Sequence, residues 1–294
     1  MVSLETALPP VLGKERRINE PVPSKEGGFF YLRMKILKDR YQRTINYLRI
    51  SVTDRCNLRC QYCMPEEGIP LINHEDILRY EEILHLVRVY AQEGITKVRI
   101  TGGEPLVRKG IVNFITELSA IPGIKDLSMT TNGVLLKDFA QPLKLAGLKR
   151  INISLDTLDQ ETFFRITRRD KFCDVWAGIQ EALKVGFSPV KLNVVIIKGT
   201  NEKEVFDFAR LALEFPLVVR FIEYMPAGEN QWNPELVYSN SQIKEQIQQL
   251  GALIPLHGER NDGPAVRYRF KNSLGEIGFI NPISSHFCHL CNRI

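Results

Sequence analysis

The sequence predicts an α/β protein: a partial (β/α)6 barrel, TIM-like in architecture, followed by a small C-terminal α+β module. Three observations carry this. Six short runs rich in Val, Ile and Leu alternate with helical patterns, the order expected of a parallel sheet with right-handed crossovers. Five of those runs put polar or basic residues at every second position, so one sheet face lines a wet cavity instead of a dry core. After Met225 and Pro226 the alternation stops and a hairpin pattern takes over.

Residues 1–36 are rich in Pro, Gly and charge, and are expected to form a flexible extension whose one element is a short strand at Phe29–Met34. Residues 37–226 carry the predicted barrel. Its strands fall at Leu48–Thr53, Lys97–Thr101, Asp126–Asn132, Arg150–Asp156, Val190–Ile197 and Leu217–Tyr224. Helices are expected at Tyr80–Gln92, Ile111–Ser119, Lys137–Leu145, Val175–Val185 and Glu202–Phe215. Because residues two apart in a strand share a face, Arg49, Ser51 and Thr53 point one way, as do Lys97, Arg99 and Thr101. The same holds for Ser128, Thr130 and Asn132, for Asn152, Ser154 and Asp156, and for Lys191 with Asn193. The opposite parity is almost wholly apolar. A face open to bulk solvent is the rival explanation, but the helices need a sheet face to cover. A domain boundary is placed near Ala227 and Gly228, and residues 227–294 form the module. It holds a helix at Gln242–Leu250 and strands at Val266–Lys271 and Gly275–Ile280, joined by Asn272, Ser273 and Leu274.

Composition narrows the function classes. No apolar run approaches a membrane span, and Glu5, Glu15 and Glu20 among the first prolines do not make a signal or transit peptide. A cytoplasmic location is the expectation, and six cysteines there do not read as a disulfide framework. A formal charge of +5 is modest, with no basic stripe for nucleic acid.

Cys56, Cys60 and Cys63 crowd one short loop. Three thiolates can hold three corners of a 4Fe-4S cluster and leave the fourth iron open, whereas most such clusters take four cysteines. Zinc prefers a closed shell of four protein ligands. The nearest histidine, His74, lies eleven residues past Cys63, beyond the turn-prone Pro65–Gly68 stretch. Cys288 and Cys291 form a second, weaker metal signal. Gly102 and Gly103 follow the second strand, where barrel active sites gather. Arg49, Lys97, Arg99, Lys191 and Arg220 lie at lumen-facing or strand-end positions. Cations converging in one cavity call for an anion among them, and guanidinium forks match phosphate oxygens.

The string Tyr47–Pro65, with its C-x3-C-x2-C loop and the aromatic Tyr62 before the last cysteine, resembles the radical S-adenosylmethionine enzymes. Within them it is similar to the GTP 3′,8-cyclase branch of molybdenum cofactor biosynthesis, and the similarity runs from about Asp39 to the last residue. The resemblance implies a catalytic 4Fe-4S cluster on Cys56, Cys60 and Cys63 that binds S-adenosylmethionine at its open iron. It implies Gly103 at the methionyl amino group, Ser154 at the nucleoside, and Tyr62 and Met225 beside the adenine. Arg49, Arg99, Thr130 and Lys191 match GTP positions, and Lys97 and Arg220 are expected as phosphate neighbours. Arg293 matches the first arginine of a basic pair that follows the second cysteine pair.

The implied reaction is one-electron cleavage of S-adenosylmethionine. The 5′-deoxyadenosyl radical takes hydrogen from the ribose C3′ of GTP, and the sugar radical then attacks C8 of guanine. An electron donor such as flavodoxin or ferredoxin and the next enzyme of the pterin pathway are the implied partners, and a homodimer is compatible with the resemblance. In that branch Cys288 and Cys291 would begin a second cluster whose third cysteine lies over a dozen residues further on. The chain reads as truncated against that pattern, so the second cluster is expected to be incomplete and GTP cyclisation impaired. The rival readings are a peptide-modifying enzyme of the same superfamily with an auxiliary cluster, and a non-catalytic iron–sulfur protein.

Overall fold

The computed structural model describes residues 36–226, 232–257 and 263–294. The expected strand at Phe29–Met34 and the expected boundary at Ala227 and Gly228 lie outside the described residues.

The barrel strands are β1 (Tyr47–Ser51), β2 (Lys97–Thr101), β3 (Asp126–Thr131), β4 (Arg150–Ser154), β5 (Val190–Ile196) and β6 (Leu217–Glu223). Each pairs in parallel with the next. The crossovers carry α1 (Tyr80–Gln92), α2 (Ile111–Ser119), α3 (Leu136–Leu145), α4 (Gln160–Thr167), α5 (Phe172–Lys184) and α6 (Val205–Glu214). They are followed by α7 (Asn240–Ile247), β7 (Leu253–Leu256), β8 (Val266–Phe270) and β9 (Glu276–Ile280). β8 and β9 pair antiparallel, as a hairpin should, and β9 lies parallel to β6. One nine-stranded sheet results, in the order β1-β2-β3-β4-β5-β6-β9-β8-β7.

The core sits between the outer sheet face and the helices. Val98, Ile100, Ile151, Ile153, Leu192 and Val194 have no exposed surface, and they take the parity opposite to the polar sets. Burial of such side chains stabilises by roughly 1.5–3 kcal/mol each, which fixes register, because a one-residue slip would turn them into the lumen. Two elements escaped the sequence reading. α4 is short, but Asp159 caps it, its side chain accepting from the Thr162 amide at 2.8 Å. β7 contains Pro255, which argues against a central strand. It is the last strand of the sheet, where a missing amide is tolerated.

At the other edge, the segment ending in Ile294 lies along β1. Arg293 bridges Tyr47 in parallel, the Ile294 amide donates to the Tyr47 carbonyl, and the Arg49 amide donates to the Ile294 carbonyl, both at 2.9 Å. This pairing carries Arg293 to the side of Arg49.

Candidate active site

The cysteine loop leaves β1 and is held from three directions. From the α4 side, the amides of Arg59 and Gln61 donate to the carbonyls of Thr167 and Ile166 at 3.0 and 2.9 Å. Arg168, in the left-handed region at φ 56°, turns its guanidinium back to donate to the carbonyls of Arg59 and Met64. From the β2 side comes the Gly-Gly turn. The Gly103 amide donates to the Thr53 carbonyl at 2.7 Å, and the Glu104 amide to the Arg55 carbonyl at 2.8 Å. A Cβ on Gly103 would stand 2.3 Å from the Arg55 carbonyl oxygen, so glycine is required here by contact with the chain itself. Glu104 is fully buried and accepts from the Leu106 amide, the Thr131 hydroxyl and the Asn132 amide. The Asn132 side chain in turn donates to the side-chain oxygen of Asn57 at 2.7 Å and lies 3.7 Å from the Cys56 sulfur. The third hold is internal to the barrel: the Tyr62 hydroxyl donates to the carboxylate of Asp156, just past β4.

The three thiols share one electrostatic neighbourhood. Burial pushes all of them up, Cys63 to about 11. Cys60 is then raised further by Cys63, Asp156 and Cys56. Among the described residues no three His, Cys, Asp or Glu side chains could hold a single metal ion. Zinc takes a closed shell of four protein ligands, and the loop offers three thiols. A 4Fe-4S cluster would take one of these thiolates at each of three irons. The loop residues therefore fit a cluster, and their deprotonation would be coupled to loading it. His74 is turned to Arg55, its Nε2 lying 2.7 Å from Arg55 Nη1. Asp156 is pushed up to about 6 by burial, with the bonds from Tyr62 and the Val195 amide pulling it part of the way back.

Arg49, Lys97, Arg99, Thr130, Lys191 and Asn193 of the polar parity line a cavity of about 440 Å³. Register stacks the polar-parity residues in layers, whether or not they reach the cavity wall. Tyr47 is level with Lys97, and Arg49 with Arg99, Ser128 and Arg150. Above them Thr130, Asn152 and Lys191 form a layer, then Ser154, Asn193 and Arg220. Gly278 on β9 gives Arg220 room to lie across, since a Cβ there would meet Arg220 Cγ at 3.0 Å. Arg49, Lys97, Arg99, Thr130, Lys191, Arg220, Met225, Cys288 and Arg293 all line this one cavity, joined by Arg150 and Arg267, and no carboxylate lines it among the described residues. Arg150 is paired with Asp126, and Arg267 with Glu276 at 3.4 Å. Arg49, Arg99, Lys191 and Arg220 have no such partner among the described residues.

The charge crowding is visible in the basicities. Lys191 is pushed down to about 7 by burial and then by Arg220, Arg150, Arg99 and Arg267. Burial, followed by Arg99, brings Arg220 to about 9. Arg220 Nη2 donates to the side-chain oxygens of Asn152 and Asn193, while its Nε is buried without a partner among the described residues. An orphaned donor in so cationic a lumen calls for an acceptor.

Cys291 and Arg293 also line an adjoining cavity of about 360 Å³. Burial raises the Cys291 thiol, but bonds from the Arg293 amide and guanidinium outweigh it and leave the thiol below its ordinary value. Tyr62 lines a separate cavity with Met64, Ile197 and Tyr224. Gly103 and Ser154 line none of these three cavities. Sequence reasoning did not single out Arg168, Glu104, Arg150, Arg267 or Glu223. Glu223 is fully buried at the end of β6. It accepts from the amides of Asn240, Ile283 and Ser284 and from the Ser284 hydroxyl, pinning the segment that leads to Cys288.

Comparison with known proteins bears on the same residues. Residues 50–212 match the Radical SAM superfamily, and residues 217–294 match Molybdenum Cofactor Synthesis C. The chain is 54% identical to GTP 3′,8-cyclase of Alkaliphilus metalliredigens over 88% of its length and 80% of the relative's. It is 53% identical to that of Moorella thermoacetica over the same shares. Among solved structures, Streptococcus suis SuiB superposes with a TM-score of 0.55 at 18% identity, over 72% of this chain and 48% of SuiB. Coproporphyrinogen III oxidase of Escherichia coli gives 0.52 at 16% identity, over 80% and 62%. At that identity these two speak for the fold alone, a partial barrel whose sheet is not closed. The cysteine loop, the lumen and the sequence matches together lead to one conclusion: the chain belongs to the GTP 3′,8-cyclase family of radical S-adenosylmethionine enzymes.

Proposed function

We propose that this chain joins C3′ of the ribose of GTP to C8 of guanine in molybdenum cofactor biosynthesis, with the triphosphate in the cationic lumen and S-adenosylmethionine against the cysteine loop. The observation that carries this is the lumen itself: partly buried cations with no carboxylate lining it among the described residues, a desolvation cost that a bound polyanion would offset. A peptide substrate or a bare electron carrier leaves that cost unexplained.

Cys56, Cys60 and Cys63 are read as cluster ligands, with Gly103, Ser154, Tyr62 and Met225 around the S-adenosylmethionine. Arg49, Lys97, Arg99, Lys191, Arg220 and Arg293 would grip phosphate oxygens and Thr130 would add a hydroxyl. Once bound, the cluster and S-adenosylmethionine supply reductive carbon–sulfur cleavage and hydrogen abstraction. The chain's own part is to fix the nucleotide by its phosphates, so that the ribose faces the loop, and to exclude water. Cys288, which lines the lumen, and Cys291, which lines the adjoining cavity, are read as ligands of a second cluster. A low-potential donor of the flavodoxin or ferredoxin kind, a following enzyme of the pterin pathway and a cytoplasmic location complete the reading. What supports the location is the family and the fact that no described helix is long and apolar enough to cross a membrane. The test is S-adenosylmethionine cleavage by the anaerobically reconstituted protein. Cleavage that rises with GTP and yields a 3′,8-joined product is expected, and cleavage indifferent to GTP would argue against the reading.

A further inference from the structure

We propose that Tyr47 is a substrate-binding residue, its hydroxyl donating to a phosphate oxygen of the nucleotide in the lumen. The inference rests on the reading above, that the lumen takes the triphosphate of GTP.

Tyr47 opens β1 and shares the lumen face with Arg49. The residue is 6% exposed, and its hydroxyl is buried without a hydrogen-bond partner among the described residues. Leaving a buried hydroxyl unpaired is costly, and such a group calls for an explanation. Its surroundings supply one. The Arg99 guanidinium carbon lies 5.4 Å from the centre of the Tyr47 ring. Arg49 and Arg220 line the same cavity. Three cations and a hydroxyl thus face one lumen, where the Ser128 hydroxyl accepts from Arg99 Nε at 3.4 Å and no acceptor among the described residues takes the Tyr47 hydroxyl.

The nearby amide oxygens of Asn152 and Asn193 accept from Arg220, and neither takes the Tyr47 hydroxyl. A ligand can supply the missing acceptor, and among cations an oxyanion is the fitting one. A phenol suits this place because it donates without adding a further positive charge to a crowd already hard to desolvate. The second orphan of the cavity, Arg220 Nε, points to the same absent partner.

The test is Tyr47→Phe, which keeps the ring and removes only the hydroxyl. Melting temperature is measured on the ligand-free protein, and dissociation constants are measured for GTP, inorganic tripolyphosphate and S-adenosylmethionine. We expect the ligand-free variant to melt at the same temperature or higher, because an unpaired polar group has gone. Affinity for GTP and for tripolyphosphate should fall roughly ten- to a hundredfold, the range for a hydrogen bond to a charged partner, while S-adenosylmethionine binding is unchanged. Unchanged GTP affinity overturns the assignment, as does a lower melting temperature with binding intact, which would make the hydroxyl structural. Weakened GTP binding with tripolyphosphate unaffected would move the contact to the base or ribose and overturn the phosphate role. Arg99→Ala run in parallel separates the two levels: if it too leaves GTP affinity intact the lumen reading falls, and if it weakens GTP while Tyr47→Phe does not, only Tyr47 falls.

Discussion

Tyr62 and Asp156 join the cysteine loop to the barrel: the hydroxyl of a residue flanked by Cys60 and Cys63 donates to a buried carboxylate that follows β4. The other oxygen of Asp156 accepts from the Val195 amide at 2.8 Å. Asn201 ties the same two strands, donating to the carbonyls of Asp156 and Val195 at 2.6 and 2.8 Å. The loop is thus referred to two lumen strands, β4 and β5, through one side chain.

Tyr62→Phe should loosen the loop without unfolding the barrel. Removing one partner leaves the buried Asp156 oxygen unsatisfied, at a cost of about 1–3 kcal/mol. Hydrogen exchange should speed up at the Arg59 and Gln61 amides, which pair with Thr167 and Ile166, and stay slow in β4 and β5. Uniform acceleration across the sheet would contradict a local tether.

Much of this was legible in the sequence, and the reasons are physical. Side-chain parity along a strand is strict, so the alternation at Lys97, Arg99 and Thr101 is enough to mark a lumen face. The strands lie within a residue or two of the expected bounds for the same reason. Illegible were the relations set by distant partners. Nothing local marks β9 as a parallel neighbour of β6, or Arg293 as a neighbour of Tyr47. Arg168 reads as a surface arginine until its αL turn aims it at the cysteine loop. Asp159 could have revealed α4, while Pro255 concealed β7.

Arg99→Ala should weaken GTP binding by about 1.5–3 kcal/mol, the worth of a charge-assisted hydrogen bond. It should leave S-adenosylmethionine binding unaltered and the ligand-free melting temperature equal or raised, because one of several repelling cations has gone. A lower melting temperature with equal loss for both ligands would make Arg99 a scaffold residue. Differential binding and calorimetry decide this.

Lys191 gives the site a pH signature. Its folded value of about 7 lies below the ordinary lysine value, so at pH 8 the ligand-free side chain is mostly uncharged. Phosphate oxygens nearby favour the charged form and raise it again. GTP binding at pH 8 should therefore take up close to one proton, and about none at pH 6, where Lys191 is already charged. The uptake appears as a dependence of binding enthalpy on buffer ionisation enthalpy. It should vanish in Lys191→Arg, which stays charged throughout. In the ligand-free protein the unfolded chain holds the extra proton between pH 7 and the ordinary lysine range, so this group makes stability rise with pH across that window.

Glu223→Ala should release the segment before Cys288. Four donors lose their acceptor, and a loss of at least about 3 kcal/mol follows if even part of them stay buried. Alkylation of Cys291 should quicken relative to the exposed Cys173. An unchanged rate would mean that the segment is held by other contacts.

The central claim is that Cys56, Cys60 and Cys63 carry an open-sited cluster facing a nucleotide lumen. The most direct measurement is the paramagnetic resonance spectrum of the anaerobically reconstituted, reduced protein, titrated with S-adenosylmethionine and then with GTP. The account predicts that S-adenosylmethionine alters the reduced cluster's signal, and that the responsive signal is lost in Cys60→Ala while Arg99→Ala retains it. A reduced cluster whose spectrum ignores S-adenosylmethionine, or a responsive signal that survives loss of Cys60, would contradict it.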